Sequence, residues 1–192
     1  MRYGNEWQAG DGVTFAQMNQ RLASDHEELD TLLNELCTAL EGDDVREIYQ
    51  RLDLFWARLA IHIRAEHLHL FPAVLRCLSG PEDVAQAPSL SQAQNTIKEL
   101  RRDHDFFMHE LAGAMLAMRA LLKTTDRRLI DEELRSVRTT IAAVRERLSD
   151  HNNVEENQVY LWPERLLTEV ERAALREGVE MELRRIPPRF SQ

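Results

Sequence analysis

The chain places a single histidine, His26, ahead of the pair His62-x-x-x-Glu66, then repeats the arrangement with His104 and His151-x-x-x-Glu155. The halves are offset by 78 residues at the single histidines and by 89 at the paired ones, so the linkers differ while the pattern is kept. Imidazole nitrogens and carboxylate oxygens are donors for borderline and hard cations. Residues four apart on a helix share a face, about one turn apart. Each His-x-x-x-Glu pair can therefore aim its imidazole at one ion while its carboxylate reaches between two. Two such pairs supply two bridging carboxylates, and His26 and His104 add one nitrogen to each ion. Positions remain for a bridging oxide or hydroxide and for an exogenous ligand, which is what separates a reactive site from a structural one. Two divalent ions less two carboxylates leave positive charge, which attracts hydroxide, oxide, peroxide or superoxide. Mixed nitrogen and oxygen donors suit iron, manganese or zinc, and affinity order alone does not choose among them.

A lone His-x-x-x-Glu is weak evidence: with 7 histidines in an acid-rich chain, roughly one such pair arises by chance. Taken singly, each histidine reads as a core residue bonded to a neighbour. Taken together, four histidines and two carboxylates in equivalent places of a repeat read as a metal centre. All six also lie within apolar stripes, where they cost stability unless something pairs with them.

Those stripes define the elements. A first helix runs from about Phe15 to Leu40, with Leu22, Leu29, Leu33, Leu36 and Leu40 in line, and a second from about Val45 to Pro72, with Ile48, Leu52, Phe55, Leu59 and His62. An aspartate of Asp43-Asp44 can cap the second, and Pro72 should kink or end it, with Ala73 to Leu78 able to add a further turn. A Gly/Pro-containing loop from Ser79 to Ser89 precedes a third helix from about Ser91 to Lys123, whose stripe is Ile97, Leu100, His104, Met108, Leu111, Met115 and Leu122. A fourth runs from about Asp126 to Tyr160, with Leu134, Ile141, Val144, Leu148, His151 and Glu155. Short links between helices one and two, and three and four, force antiparallel neighbours. The expected fold is all-α: an up-and-down antiparallel four-helix bundle over residues 15–162, with an N-terminal arm over 1–14 and an extra C-terminal helix and tail over 163–192. In the last segment, Leu166, Leu167, Val170, Ala174 and Leu183 offer a sticky face, so a second copy of the chain is a candidate partner.

Hydrophobic residues at 43 % suffice for one core at this length, and a net charge of −9 without a basic patch argues against nucleic acid and anionic membranes as partners. No secretory signal or membrane-length apolar run is evident, and Cys37 and Cys77 lie far apart, so the expected setting is the reducing cytoplasm. Three further residues are candidate additions to the site: His69, which makes a Glu66-x-x-His69 pair, Met108 and Tyr160. His67 falls off the ligand face and is expected at the surface or a helix contact. Asp25, Asp103 and Asp150 each precede a candidate ligand, and solvated positions are expected for them.

The stretches Leu22 to Leu29 around Asp25-His26, His62 to Pro72 (HIRAEHLHLFP), Asp103-His104, and His151 to Tyr160 (HNNVEENQVY) resemble the hemerythrin-like, HHE-type cation-binding family over roughly residues 15 to 163. In each half that family has a His on one helix, then HxxxEE and an LFP- or LYP-like ending. Here the second Glu of the first half is His67, and Leu161 stands where the second half would have its proline. The resemblance implies a hemerythrin-like bundle holding non-haem di-iron on His26, His62, Glu66, His104, His151 and Glu155, with O₂, NO or peroxide as ligand. Oxygen carriers of this family have another His one turn after the third-helix His, and end in HxxxxD. In this chain those slots hold Met108 and Glu156. The expected function is therefore redox chemistry or sensing rather than reversible O₂ carriage. An alternative is a regulatory module whose metal site controls association through the C-terminal helix. Whether the chain is a di-iron oxidoreductase stays open, because no recognisable catalytic pair lies beyond the ligands.

Overall fold

The computed structural model describes residues 17–79 and 87–190. The arm over 1–14, the start of the first helix at Phe15 and most of the loop before Pro88 lie outside the described residues. Every regular element among the described residues is helical, and the fold is an all-α, antiparallel four-helix bundle with an added C-terminal helix. The elements are α1 (Gln17–Glu41), α2 (Val45–Ala65), α3 (Phe71–Leu78), α4 (Leu90–Leu121), α5 (Arg127–Asn157), α6 (Trp162–Leu166) and α7 (Glu169–Leu183). α1 packs on α2 and α5, and α4 packs on the same two, which closes the four long helices into a ring.

Local chemistry sets the ends. Asp44 caps α2 by accepting from the amides of Arg46 and Glu47, and Asp126 caps α5 through Arg128 and Leu129. Ser89 with Gln92, and Thr168 with Glu171, form capping boxes at the starts of α4 and α7. The second of these breaks the expected continuous C-terminal helix into α6 and α7. A short 3₁₀ turn, Pro188–Phe190, comes next in the proline-rich tail.

Pro72 neither ends nor breaks its helix. Between α2 and α3 the chain makes a π-helical turn, Glu66–Leu70, in which the Phe71 amide donates to the Glu66 carbonyl five residues back. Pro72 then stands in the first turn of α3, where its missing amide hydrogen costs nothing. π turns insert one residue into a helix and recur at functional sites.

The stripe residues from Leu22 to Leu148 are nearly all buried, in two clusters. Leu29, Leu59, Phe107 and Leu148 border one, and Leu22, Ala65, Leu100 and Tyr160 border the other. His26, His62, Glu66, His104, His151 and Glu155 form a buried polar layer between them. Leu122, expected in the α4 stripe, is exposed beyond the helix end.

α7 packs on α2, on the π turn and on α1. Its buried face is Leu175, Val179 and Leu183, with Leu167 ahead of it, whereas Val170 and Ala174 of the expected sticky face are exposed. The helix spends its apolar side on the chain's own core. Glu182, 1 % exposed, pairs with Arg64 at 2.9 Å and Arg185 at 3.1 Å, and Arg189 grips Asp53 through two 3.0 Å bonds.

Gly178 lets α7 approach the π turn: a Cβ there would meet His69 Nδ1 at 2.6 Å. Gly178→Ala should gain up to about 1 kcal/mol of helix propensity and lose more to overpacking, about 1–3 kcal/mol. In a His69→Ala background the loss should vanish and the gain remain. Urea denaturation of the four proteins of that cycle measures the coupling, and additive effects would show that the contact is not tight.

Candidate metal centre

Each leading helix contributes two consecutive residues to the centre. On α1, His26 points into the layer and Asp25, wholly buried, accepts from His62 Nδ1 at 2.8 Å. On α4, His104 points inward and Asp103 lies 3.3 Å from His151 Nδ1. The expectation of a solvated position is thus corrected for Asp25, while Asp103 stays partly exposed and pairs with Arg147 as well. Successive helical positions are about a quarter-turn apart, and the neighbouring helix brings the partner histidine onto that flank. Asp150 is exposed as expected.

His67 makes a helix contact, the second of the two places expected for it. It is half-buried, and its Nε2 lies 2.9 Å from His104 Nδ1. The residue at the same place in the second half, Glu156, lies 2.7 Å from His26 Nδ1. All four Nδ1 atoms therefore have outward partners: Glu156 for His26, Asp25 for His62, His67 for His104 and Asp103 for His151. With Nδ1 so engaged, each ring turns Nε2 inward, which is how outer carboxylates and carbonyls orient metal-binding imidazoles.

The inward atoms fall into two groups, each with all donor atoms within 4.8 Å of one another. The first position is formed by His26, His62, Glu66 and Glu155, and the second by His104, His151, Glu66 and Glu155. Within the groups, His26 and His62 Nε2 are 3.0 Å apart, and His104 and His151 Nε2 are 2.9 Å apart. Glu66 turns Oε1 toward His62, at 3.5 Å, and Oε2 toward His104, at 3.3 Å. Glu155 turns Oε2 toward His26, at 3.4 Å, and Oε1 toward His151, at 3.2 Å. Donors that surround one ion at about 2.1 Å stand roughly 3 Å apart as neighbours. Each carboxylate thus presents one oxygen to each position, as a bridge requires.

The donor set also passes a test of fit. Glu66 Oε2 and Glu155 Oε1 are buried with no hydrogen-bond partner, although imidazole nitrogens lie 3.2–3.3 Å away. Those nitrogens are aligned on each other rather than on the carboxylates. Buried carboxylate oxygens are seldom left without a partner, and a cation would supply one.

Tyr160 is in the site. Its 3₁₀ turn, Val159–Leu161, comes directly after α5 and sets the hydroxyl 2.7 Å from Glu66 Oε1, to which it donates. His69 and Met108 are not in either donor group: His69 lies against Gly178, and Met108 packs on the apolar core. Phe107 meets the His151 ring edge-on, at 5.4 Å between centroids. His109 is exposed. Arg58, also buried, links Asp25 at 2.8 Å and Glu28 at 2.8 Å to the Leu183 carbonyl at 3.4 Å, tying the centre to the end of α7.

Burial and neighbouring charges pull the titrations of these side chains in opposite directions. Burial opposes charge on His62, but the Glu66 carboxylate and the bond to Asp25 outweigh it and raise its pKa to about 10. Burial lowers His104 to about 3, so it stays neutral, while Glu155 and Asp103 raise His151 against its burial. Burial would raise Glu155, yet His151 and His26 hold its carboxyl far below the usual range. Burial, with Glu155 and Glu66, pushes the Tyr160 hydroxyl well above its ordinary value.

A histidine whose folded pKa is raised from 6.5 to about 10 stabilises fully below pH 6.5 and loses that contribution as pH rises toward 10. The chelator-treated protein should therefore lose thermal stability across that window. A divalent cation must displace the proton on His62, so loading at pH 7 should release more protons than loading at pH 10. Melting curves and titration in weak buffer check both effects, and proton-neutral binding at pH 7 would contradict the assignment of charge to His62.

Comparison with known families bears on fold and on cation binding. The family model described as "Hemerythrin HHE cation binding domain" matches residues 17–162. No curated protein and no solved structure matches the chain. Among the described residues no helix is long and apolar enough to cross a membrane. The match spans all six inward donors, and the chain belongs to the hemerythrin HHE cation-binding family.

Proposed function

We propose that the chain holds two iron ions, one at each position, on His26, His62, His104 and His151 with Glu66 and Glu155 as bridges, and that it handles O₂, NO or peroxide in redox chemistry or sensing. The observation that carries this reading is the sharing of both carboxylates between two imidazole pairs, with two buried carboxylate oxygens otherwise unpartnered. Mixed nitrogen and oxygen donors without thiolate fit iron in either common oxidation state. A bound iron pair would supply coordination sites for a diatomic ligand or peroxide, together with one-electron redox chemistry.

The chain's own residues do the rest. Asp25, Asp103, Glu156 and His67 fix the tautomer and ring angle of the four histidines. Phe107, Phe71 and the two apolar clusters exclude bulk water, which strengthens every charge interaction in the layer. Met108 in place of a further histidine argues against reversible oxygen carriage, since a thioether is a poor donor for a hard ferric ion. The cytoplasm is the setting proposed, because Cys37 and Cys77 are both free thiols.

One observation favours a regulatory role for the C-terminal helix: the Arg58 contacts that join Asp25, and through it His62, to the Leu183 carbonyl. Because Leu167, Leu175, Val179 and Leu183 belong to the core, cutting the chain at Pro163 would open that core rather than free a detachable arm. Arg58→Met tests the link more gently, through its effect on metal affinity.

Anaerobic iron reconstitution should load two iron ions per chain, the number of donor groups. Glu66→Ala and Glu155→Ala should each remove both ions, whereas His26→Ala should preferentially weaken one. Metal analysis with absorption spectra reads these outcomes. One tightly held zinc and no iron would sink the di-iron reading, and full occupancy in either glutamate variant would remove the bridging roles.

A further inference from the structure

The repeat that builds the two positions is broken at two places, and both breaks fall on the centre. Five residues after Glu155 stands Tyr160, and five after Glu66 stands Phe71. One residue after Glu155 stands Glu156, and one after Glu66 stands His67.

The Tyr160 oxygen touches all four donors of the first position: Glu66 Oε1 at 2.7 Å, His26 Nε2 at 3.0 Å, Glu155 Oε2 at 3.2 Å and His62 Nε2 at 3.3 Å. A hydroxyl has one proton and two lone pairs, so hydrogen bonding accounts for three of these contacts at most. An atom about 3 Å from four donors that themselves ring one ion is where the next ligand of that ion stands, given bond lengths of about 2.1 Å. The second position has no such oxygen among the described residues. Its counterpart, Phe71, lies nearly parallel to the His104 ring, with centroids 6.2 Å apart, and a phenyl ring has nothing to donate. The two unpartnered carboxylate oxygens, Glu66 Oε2 and Glu155 Oε1, both face this second position. The outer partners differ in the same sense: a carboxylate, Glu156, supports His26, while an imidazole, His67, supports His104.

We propose that the two cation positions are unequal by construction: Tyr160 is a fifth protein ligand that closes the His26/His62 position, and the His104/His151 position is the one left open to an exogenous ligand. This rests on the dinuclear reading above and adds to it which ion reacts. When a cation enters the first position, the Tyr160 O–H bond breaks, an oxygen–cation bond forms and the proton leaves to solvent. The hydroxyl no longer donates to Glu66, whose oxygen turns to the ion.

The test uses the full chain loaded with ferrous iron and oxidised with ferricyanide. The wild type should show a visible phenolate-to-ferric charge-transfer band, and resonance Raman excitation within it should enhance tyrosinate ring modes. Azide should saturate at one per iron pair. Tyr160→Phe makes the two halves alike at this place, and should abolish the band while retaining two irons. Cobalt(II) titration of the wild type should show two unequal steps, and in Tyr160→Phe the tighter step should weaken roughly tenfold or more. The wild-type spectrum decides the matter even if the variant folds poorly. Two bound irons without a phenolate band, or unequal cobalt steps unchanged in Tyr160→Phe, would overturn the tyrosine assignment and leave the dinuclear reading standing. A wild type that binds no pair of ions would overturn both.

Discussion

Glu66 and Glu155, with no exposure to solvent, face each other's histidines in one layer of a helical bundle. A buried, unpaired carboxylate costs several kcal/mol even after relaxation, a large part of a domain's total stability. The layer is therefore tolerable only where its charges are met: imidazoles flank both carboxylates, and a cation would meet the two oxygens left without a hydrogen-bond partner. Outer partners hold every Nδ1. The two apolar clusters on either side depend on this compensation, because they can close over the layer only if it is neutralised.

The layer also explains why the helices deviate where they do. The π turn begins at Glu66 and the 3₁₀ turn holding Tyr160 begins four residues past Glu155, so after the two His-x-x-x-Glu pairs the chain winds more widely in one half and more tightly in the other. A wider turn brings His67 to the back of His104. A tighter turn brings the Tyr160 hydroxyl over the first position. One pattern, placed twice, is thus finished in two different ways by the residues just past its last ligand, and local winding becomes a means of making two ions differ.

The bundle and the six donors are legible in the sequence because their signals are periodic: leucines at helical spacing, then histidines and glutamates in the same stripe. Periodicity misses every group one step off the stripe. Asp25 and Asp103 point to the flank of their own helix, and only the position of α2 or α5 tells that the flank is buried. His67 is off the ligand face of an ideal α-helix, and the π turn that rotates it is not visible in the letters HIRAEHLHLFP. Tyr160 can be placed near the centre, but its contact with four donors depends on a turn type that residue spacing does not encode. The C-terminal segment misleads for a related reason. Its leucines suggest one exposed face, whereas the capping box at Thr168 resets the helical phase and puts Leu175 and Val179 inside.

Asp25 and His26 are neighbours on α1, yet they answer different partners, and Asp103 and His104 do the same on α4. Two adjacent side chains that both must be met fix a helix in rotation as well as in height, as a key with two cuts fits one lock. A single inserted or deleted residue upstream within either helix would turn both away at once, through about a quarter-turn. Changes of length in the connections between helices carry no such penalty. Drift in this fold should accordingly gather in the links and spare the phase of α1 and α4, whatever happens to the individual apolar residues that line them.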